Sequence, residues 1–380
     1  MIRLAALSTL FATPGPYATA YLDASRAEEL GPQKVELRWR ALRMSLAEQG
    51  ADEATLDAME AAVGGHADVT GAHGQLLVGA GGQLRHDVVL PAPPRRETAR
   101  WSALPHLMPM VAQLGPVVPY VLALVDRTGA DLTVHGPAGE WSLEVQGDSS
   151  EVHKTGVGGW AQLRYQHRAE NLWEANARQV ADAIEAAVRG TAARVVVLAG
   201  DVRARETLRK VLAEPAAELV VELHTGGRAD GIDAEKLSGE VDAVVARVAA
   251  DDDRAVLDRF AEARGRAEAG VGEVLAVAGL ADTVEALRKA QVQALLVLDD
   301  PAADVEAWIG PEPVHLGLTA EELAEMGVSD PDRDRLDAAL VRAAVGTDAS
   351  IVTLAAGQLE IRDGVGATLR YPDPGDRAGS

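Results

Sequence analysis

Between His153 and Asn171 the sequence reads HKTGVGGWAQLRYQHRAEN. Gly156, Gly158 and Gly159 give the backbone ahead of Trp160 access to angles that side chains forbid. A helical pattern follows at once, from about Trp160 to Val188. Positions three, four and seven apart share a helix face, so Arg164, His167 or Arg168, Asn171 and Arg178 form a polar stripe. Leu163, Leu172, Trp173, Val180, Ile184 and Val188 form the apolar stripe. A glycine loop, the free N–H groups of a helix start and nearby arginines suit phosphate, and His153 and Lys154 lead into the same loop. A surface helix with solvated arginines gives the same pattern, and spacing alone does not separate the two.

Other chemistry finds less support. GVGG lacks the Gly-Lys-Ser/Thr ending of a phosphate loop and follows no strand in the nucleotide-binding pattern. Leu198 to Asp201, LAGD, reads as a strand end followed by a helix cap more readily than as a catalytic turn. Asp251 to Asp253 could attract a divalent cation, but an acidic run of this kind usually starts a solvated helix. His153 and His167 have no third ligand at zinc spacing, so no metal site is expected. There is no Gly-x-Ser-x-Gly nucleophile turn. With no cysteine in the chain, disulfides, thiolate zinc sites and cysteine nucleophiles are excluded together.

The elements that must position the loop are legible on both sides of it. YATAYLDA (17–24) alternates like a strand. AEELGPQKVELRWRALRMSLAEQG (27–50) and DEATLDAMEAAVG (52–64) read as helices with glycine stops. GQLLVGAGGQLRHDVVLP (74–91) reads as a hairpin, and LPAPPRRE (90–97) as a proline-rich loop. A second unit opens at Tyr120, where two apolar runs flank Asp126-Arg-Thr-Gly129, a hairpin signal. EWSLEVQG adds a third strand. After the loop and long helix come a buried strand (ARVVVLAGD), a helix (RARETLRKVL) and another strand (AELVVELHTGG). The third unit reads as helix (DTVEALRKAQ), buried strand (VQALLVLDD), helix (DRDRLDAALVRAAVGT) and strand (ASIVTLA), closing on GVGATLRYP. Strands alternating with helices predict an α/β protein of three consecutive α/β domains: 1–115, 116–250 carrying the glycine loop, and 251–380 with a short tail.

At 380 residues, with 47% hydrophobic and 25% charged residues, the profile is that of an ordinary globular chain. Aromatics make up 3%, so Ala, Val and Leu must build the cores. The formal net charge of −22 opposes indiscriminate nucleic-acid binding without forbidding a local basic site. The opening MIRLAALSTLFATPGPY is signal-like only until Pro14-Gly15-Pro16 interrupts it. No apolar run approaches the roughly 18 residues that span a bilayer. A cytoplasmic protein is expected.

GGWAQLRYQHRAEN resembles the central-domain loop of the eukaryotic and archaeal class I peptide release factor and Pelota family. Release factors there carry Gly-Gly-Gln, two small residues, then Leu-Arg and an aromatic. Gly158-Gly159-Trp160 stands in that register with Leu163-Arg164-Tyr165. VVVLAGD, ELHTGGRADGID and DGVGATLRYP (363–372) resemble further family segments in the same order, so the resemblance covers roughly residues 116–372. It implies release-factor- or Pelota-like central and C-terminal domains and a tRNA-mimicking ribosomal factor. The bacterial branches include proteins that occupy ribosomes during dormancy.

The departures bear on activity. In release factors the Gln of this loop enters the peptidyl-transferase centre and helps orient the water that cleaves peptidyl-tRNA. Here Trp160 takes its place, and an indole has one donor and no acceptor. Gln162, two residues on, is the one weak catalytic candidate. The Asn-Ile-Lys-Ser stop-codon stretch is absent from the first domain. The resemblance therefore implies a ribosomal A-site binder without hydrolysis, in hibernation or rescue. The alternative is a peptidyl-tRNA hydrolase or tRNA-cleaving rescue factor using Gln162 or His153. The RNA-contacting set would be His153, Lys154, Gly156, Gly158, Gly159, Trp160, Arg164, His167 and Arg168. Partners would be rRNA of the peptidyl-transferase centre and A site, the tRNA acceptor end and a translational GTPase, with no cofactor and no membrane. Residues 152–159 are expected to be the most mobile stretch of the central domain.

Overall fold

The computed structural model describes residues 7–25, 31–66, 69, 71–115, 118–136, 139–146, 159–225, 234–299, 305–355 and 357–372, with side chains left out at 159–171. The chain is mixed α/β. It divides into two compact units, one made of Met1–Pro116 with Asp253–Ser380 and the other of Val117–Asp252.

The first segment runs α1 (Ser8–Phe11), β1 (Tyr17–Asp23), α2 (Gly31–Glu48), α3 (Glu53–Glu60), β2 (Gly74–Ala80), β3 (Gln83–Leu90), β4 (Thr98–Ser102) and α4 (Met108–Leu114). The middle segment holds β5 (Tyr120–Val125), β6 (Gly129–Gly136), β7 (Gly139–Gln146), α5 (Gly159–Thr191), β8 (Val195–Gly200), α6 (Val202–Val211), β9 (Val220–Glu222) and the start of α7 (Ala234–Glu268). The last segment contains β10 (Ala276–Ala278), α8 (Leu280–Arg288), β11 (Val292–Leu298), β12 (Glu306–Ile309), β13 (Leu316–Gly317), α9 (Ala320–Glu325), β14 (Asp332–Arg335), α10 (Leu336–Gly346), β15 (Ser350–Leu354) and β16 (Val365–Leu369).

In the middle unit the sheet order is β7-β6-β5-β8-β9. β5, β6 and β7 form an antiparallel meander, and β8 and β9 join parallel to β5. Strand alternation sends side chains to two faces. Val121, Ala123, Val125, Val196 and Leu198 meet α5 through Val180, Ala181, Ile184 and Val188. Tyr120, Leu122, Leu124, Val195 and Val197 meet α7 through Leu237, Val241 and Val244. The result is a sheet between helical layers. The expected hairpin at Asp126 forms, because the Asp126 carboxylate accepts from the N–H groups of Thr128 at 2.7 Å and Gly129 at 2.9 Å, a self-made turn.

In the other unit, β3-β2-β1-β4 form an antiparallel sheet. Its α2 and α3 face buries Trp39, Leu46, Leu56 and Met59 against Ala18, Ala20 and Leu22. Its other face carries Tyr17, Tyr21, Leu76 and Val78 into a core that also takes α4, α8, α10 and the sheet β10-β16-β11-β15. Both faces of β1 are therefore buried, and residues early and late in the chain share one core.

Three sequence expectations are corrected, and one strand is added. DRDRLDAALVRAAVGT is not all helix: Asp332–Arg335 form β14, paired antiparallel with β12, and α10 begins at Leu336. Asp334 is buried and accepts from the backbone N–H groups of Leu104 and Arg335, each at 2.7 Å, while Arg333 lies over the Trp308 ring at 5.3 Å. These tertiary partners override local helix propensity. AELVVELHTGG is strand only over Val220–Glu222, since Ala216–Leu219 form a 3-10 turn. Asp251 to Asp253 do not start a helix but lie within α7, where Asp252 pairs with Arg194 at 2.5 Å. The proline-rich loop is followed by β4, an edge strand that the sequence reading omitted.

Candidate functional site

The helix that follows the glycine loop in sequence is α5, the 33-residue helix Gly159–Thr191. His153, Lys154, Gly156 and Gly158 lie outside the described residues, as do residues 152–158 of the stretch expected to be mobile. Gly159 opens α5, with Trp160 and Gln162 in its first turn and Arg164, His167 and Arg168 in the next two. The side chains of Trp160, Gln162, Arg164, His167 and Arg168 also lie outside the described set. Farther along, Asn176 is the first fully buried side chain described on α5. At 1.5 Å per residue, Gly159 stands about 25 Å along the axis from that point. Arg178, expected on the polar stripe, is exposed and pairs with Glu174 at 3.4 Å.

The base of α5 is locked to the sheet by residues the sequence did not single out. Asn176 donates its side-chain N–H to the Arg127 carbonyl at 3.1 Å. The Arg127 guanidinium lies 4.9 Å over the Trp173 ring and 3.6 Å from the Asp201 carboxylate. Trp173, assigned to the core stripe from its spacing, thus also serves as a platform for a cation. A cavity of about 20 Å³ between β5, α5 and α6 admits a single water, so the contacts here are tightly packed.

LAGD performs the capping role. Asp201 accepts from the Ala204 N–H at 3.0 Å and starts α6. Burial works to raise its carboxyl, but the Ala204 hydrogen bond and Arg127 outweigh it and hold the group below its ordinary value. Gly200 has φ +122, and a Cβ there would lie 2.0 Å from the Val125 carbonyl oxygen, so only glycine fits between β8 and β5. Gly200→Ala should lower unfolding free energy by more than about 2 kcal/mol, from strain and overlap together, and Asp201→Ala by about 1 kcal/mol from the lost cap. Urea unfolding checks both; an unchanged Gly200→Ala would show that the turn relaxes freely. α6 is tied onward to β9, because the buried Arg205 and the exposed Arg209 reach Glu222 at 2.7 and 2.9 Å.

Among the described residues no cluster of three or more His, Asp or Glu side chains is placed to hold a metal ion, and no helix is long and apolar enough to cross a membrane.

Fold and site together define a multi-sheet α/β protein whose middle unit is a sheet between helices, with Gly159 opening a long helix. A profile of the bacterial archaeo-eukaryotic release factor family 2 matches residues 119–266. Uncharacterised proteins from two strains of Mycobacterium tuberculosis are each 31% identical over 371 residues, 97% of this chain and 97% of theirs. The chain belongs to the bacterial archaeo-eukaryotic release factor family. Solved structures similar to it include Archaeoglobus fulgidus Pelota, 14% identical with a TM-score of 0.35, covering 97% of this chain and 93% of that one. A ribosome-bound archaeal Pelota is 15% identical with a TM-score of 0.39, covering 97% and 94%.

Proposed function

We propose that this protein is a translation factor of the cytoplasm that enters the ribosomal A site and occupies it without hydrolysing peptidyl-tRNA, in hibernation or rescue. The observation that supports this reading is that Gly159 and Trp160 open α5 about 25 Å before the helix's buried contacts at Asn176, in a chain of the release-factor family. A long helix that begins at Gly159 and Trp160 enters a narrow RNA cavity while the acidic body stays outside. Trp160 stacks on an rRNA base or on the tRNA acceptor end, and every base offers a face for this. His153, Lys154, Arg164, His167 and Arg168 meet phosphates, and Gly156, Gly158 and Gly159 let backbone approach RNA closely. Stacking replaces the water-positioning role of a glutamine, because an indole cannot accept a hydrogen bond. Domains 1–115, 116–250 and 251–380 would act as body, finger and docking surface for a translational GTPase.

The test combines ribosome sedimentation with peptide release. The native protein should co-sediment with ribosomes through sucrose and leave labelled peptidyl-tRNA intact in stalled complexes. Release by the wild type that Gln162→Ala abolishes would replace this reading with hydrolysis.

A further inference from the structure

The unit formed by Met1–Pro116 and Asp253–Ser380 contains a cleft of about 1420 Å³, larger than the roughly 300–1,000 Å³ typical of small-molecule sites. It lies at the carboxyl end of β11, one member of the parallel pair β11–β15. Open α/β sheets place their ligands at such ends. One rim is basic in a chain whose net charge is −22: Arg95, Arg96 and Arg100 all line it. Arg95 is taken by Asp299 at 2.8 Å and Arg100 acts electrostatically on the buried Asp334, whereas Arg96 forms no ion pair among the described residues. Two polar atoms in the same lining are buried with no hydrogen-bond partner among the described residues, Arg100 Nε and Gln113 Oε1. One is a donor and the other an acceptor, and leaving either unmatched is costly. The remaining lining includes apolar Met108, Leu298 and Leu336 and the carboxylates Asp299, Asp337 and Asp363; of these, Asp299 is held by Arg95 and Asp337 by Arg335.

We propose that this cleft binds a nucleoside phosphate. Arg96 and Arg100 take the phosphate, as guanidinium forks do; Gln113 Oε1 accepts from a ring or exocyclic N–H of the base; and the apolar side chains of Met108, Leu298 and Leu336 receive the base's flat face. Inorganic phosphate alone would leave the acceptor and the apolar wall unused. The ligand is either a free mononucleotide or one nucleotide of an RNA strand, since both present the same groups. The site is built from residues other than those of the glycine loop.

Calorimetric titration of the full-length protein decides the matter, using AMP, GMP, UMP, short oligoribonucleotides and inorganic phosphate in turn. A nucleotide or oligonucleotide should bind more tightly than phosphate. Arg96→Ala, at an exposed position, and Gln113→Ala should each weaken that binding about tenfold, with Arg100→Ala doing the same if its thermal midpoint is preserved. Arg264→Ala, on α7 away from the cleft, should bind as wild type. Mononucleotide binding identifies a free ligand; oligonucleotide binding alone, lost in the same variants, identifies RNA. Three outcomes overturn the proposal: no heat with any nucleotide, equal affinity for phosphate alone, or binding unaffected by Arg96→Ala and Gln113→Ala but lost with Arg164→Ala.

Discussion

Asp337→Ala should lower the unfolding free energy by about 3 kcal/mol, the low end of the range for breaking a buried ion pair. Asp337 opens α10 and accepts from Arg335 Nη2 at 2.7 Å and Nε at 3.0 Å, and it lies 3.3 Å from His106 Nε2. The side chains of Arg335 and Asp337 are only 11% and 19% exposed, so removing the carboxylate takes charge-assisted hydrogen bonds from a guanidinium that water cannot fully reach. Burial works to raise the Asp337 carboxyl, but hydrogen bonds from His106 and Arg335 outweigh it and hold the group well below the ordinary carboxylate range. A depressed folded-state value means that the stabilisation is fully present above the unfolded value of about 4 and is lost as pH falls through the lower folded value. The gap between wild type and variant in urea unfolding should therefore be full at pH 7 and shrink only in strong acid. Asp337→Asn, which retains one acceptor, should fall between the two. A loss below about 1 kcal/mol at pH 7, or a gap independent of acid, would show that the network adds little.

This same network explains why some of the fold escaped the sequence. The hairpin at Asp126 was legible because its turn is made by its own residues, and β8 because five apolar side chains run together before Gly200. β14 was not legible, since DRDR becomes a strand only through β12, Trp308 and the Leu104 N–H that Asp334 receives. The last of these partners lies 230 positions away in the chain. β4 was missed for a related reason. Its outward backbone groups at Ala99 and Trp101 are satisfied by Gln49, whose amide donates to the Ala99 carbonyl at 3.0 Å and accepts from the Trp101 N–H at 2.9 Å. A side chain thus guards an edge that a further strand could otherwise join, and nothing in TARWS announces it. At the candidate site, the helix and its glycine start could be read from local pattern. The clamp of Arg127, Trp173 and Asp201 could not, because it joins a turn, a helix and a strand end that only the sheet brings together.

Trp160→Ala should weaken ribosome binding by about 1–3 kcal/mol, the value of one base stacked on an aromatic ring, which is roughly 5- to 150-fold in affinity. The salt dependence of binding should change little, because an indole displaces no counterions. Arg164→Ala combined with Arg168→Ala should do the reverse. Each phosphate contact contributes about 0.7–0.9 to the slope of log affinity against log salt, so losing two should reduce that slope by about 1.5. The penalty would then be large at low salt and small at high salt. The two classes of variant separate because stacking and counterion release respond differently to ionic strength, although both sets of residues lie within the first three turns of α5. The folded helix is not at issue in either, since its locking contacts begin at Trp173 and Asn176. Binding measured by sedimentation across a salt series checks both results. If Trp160→Ala binds as tightly as wild type, or the double arginine variant keeps the full slope, the tip of α5 is not the ribosome contact.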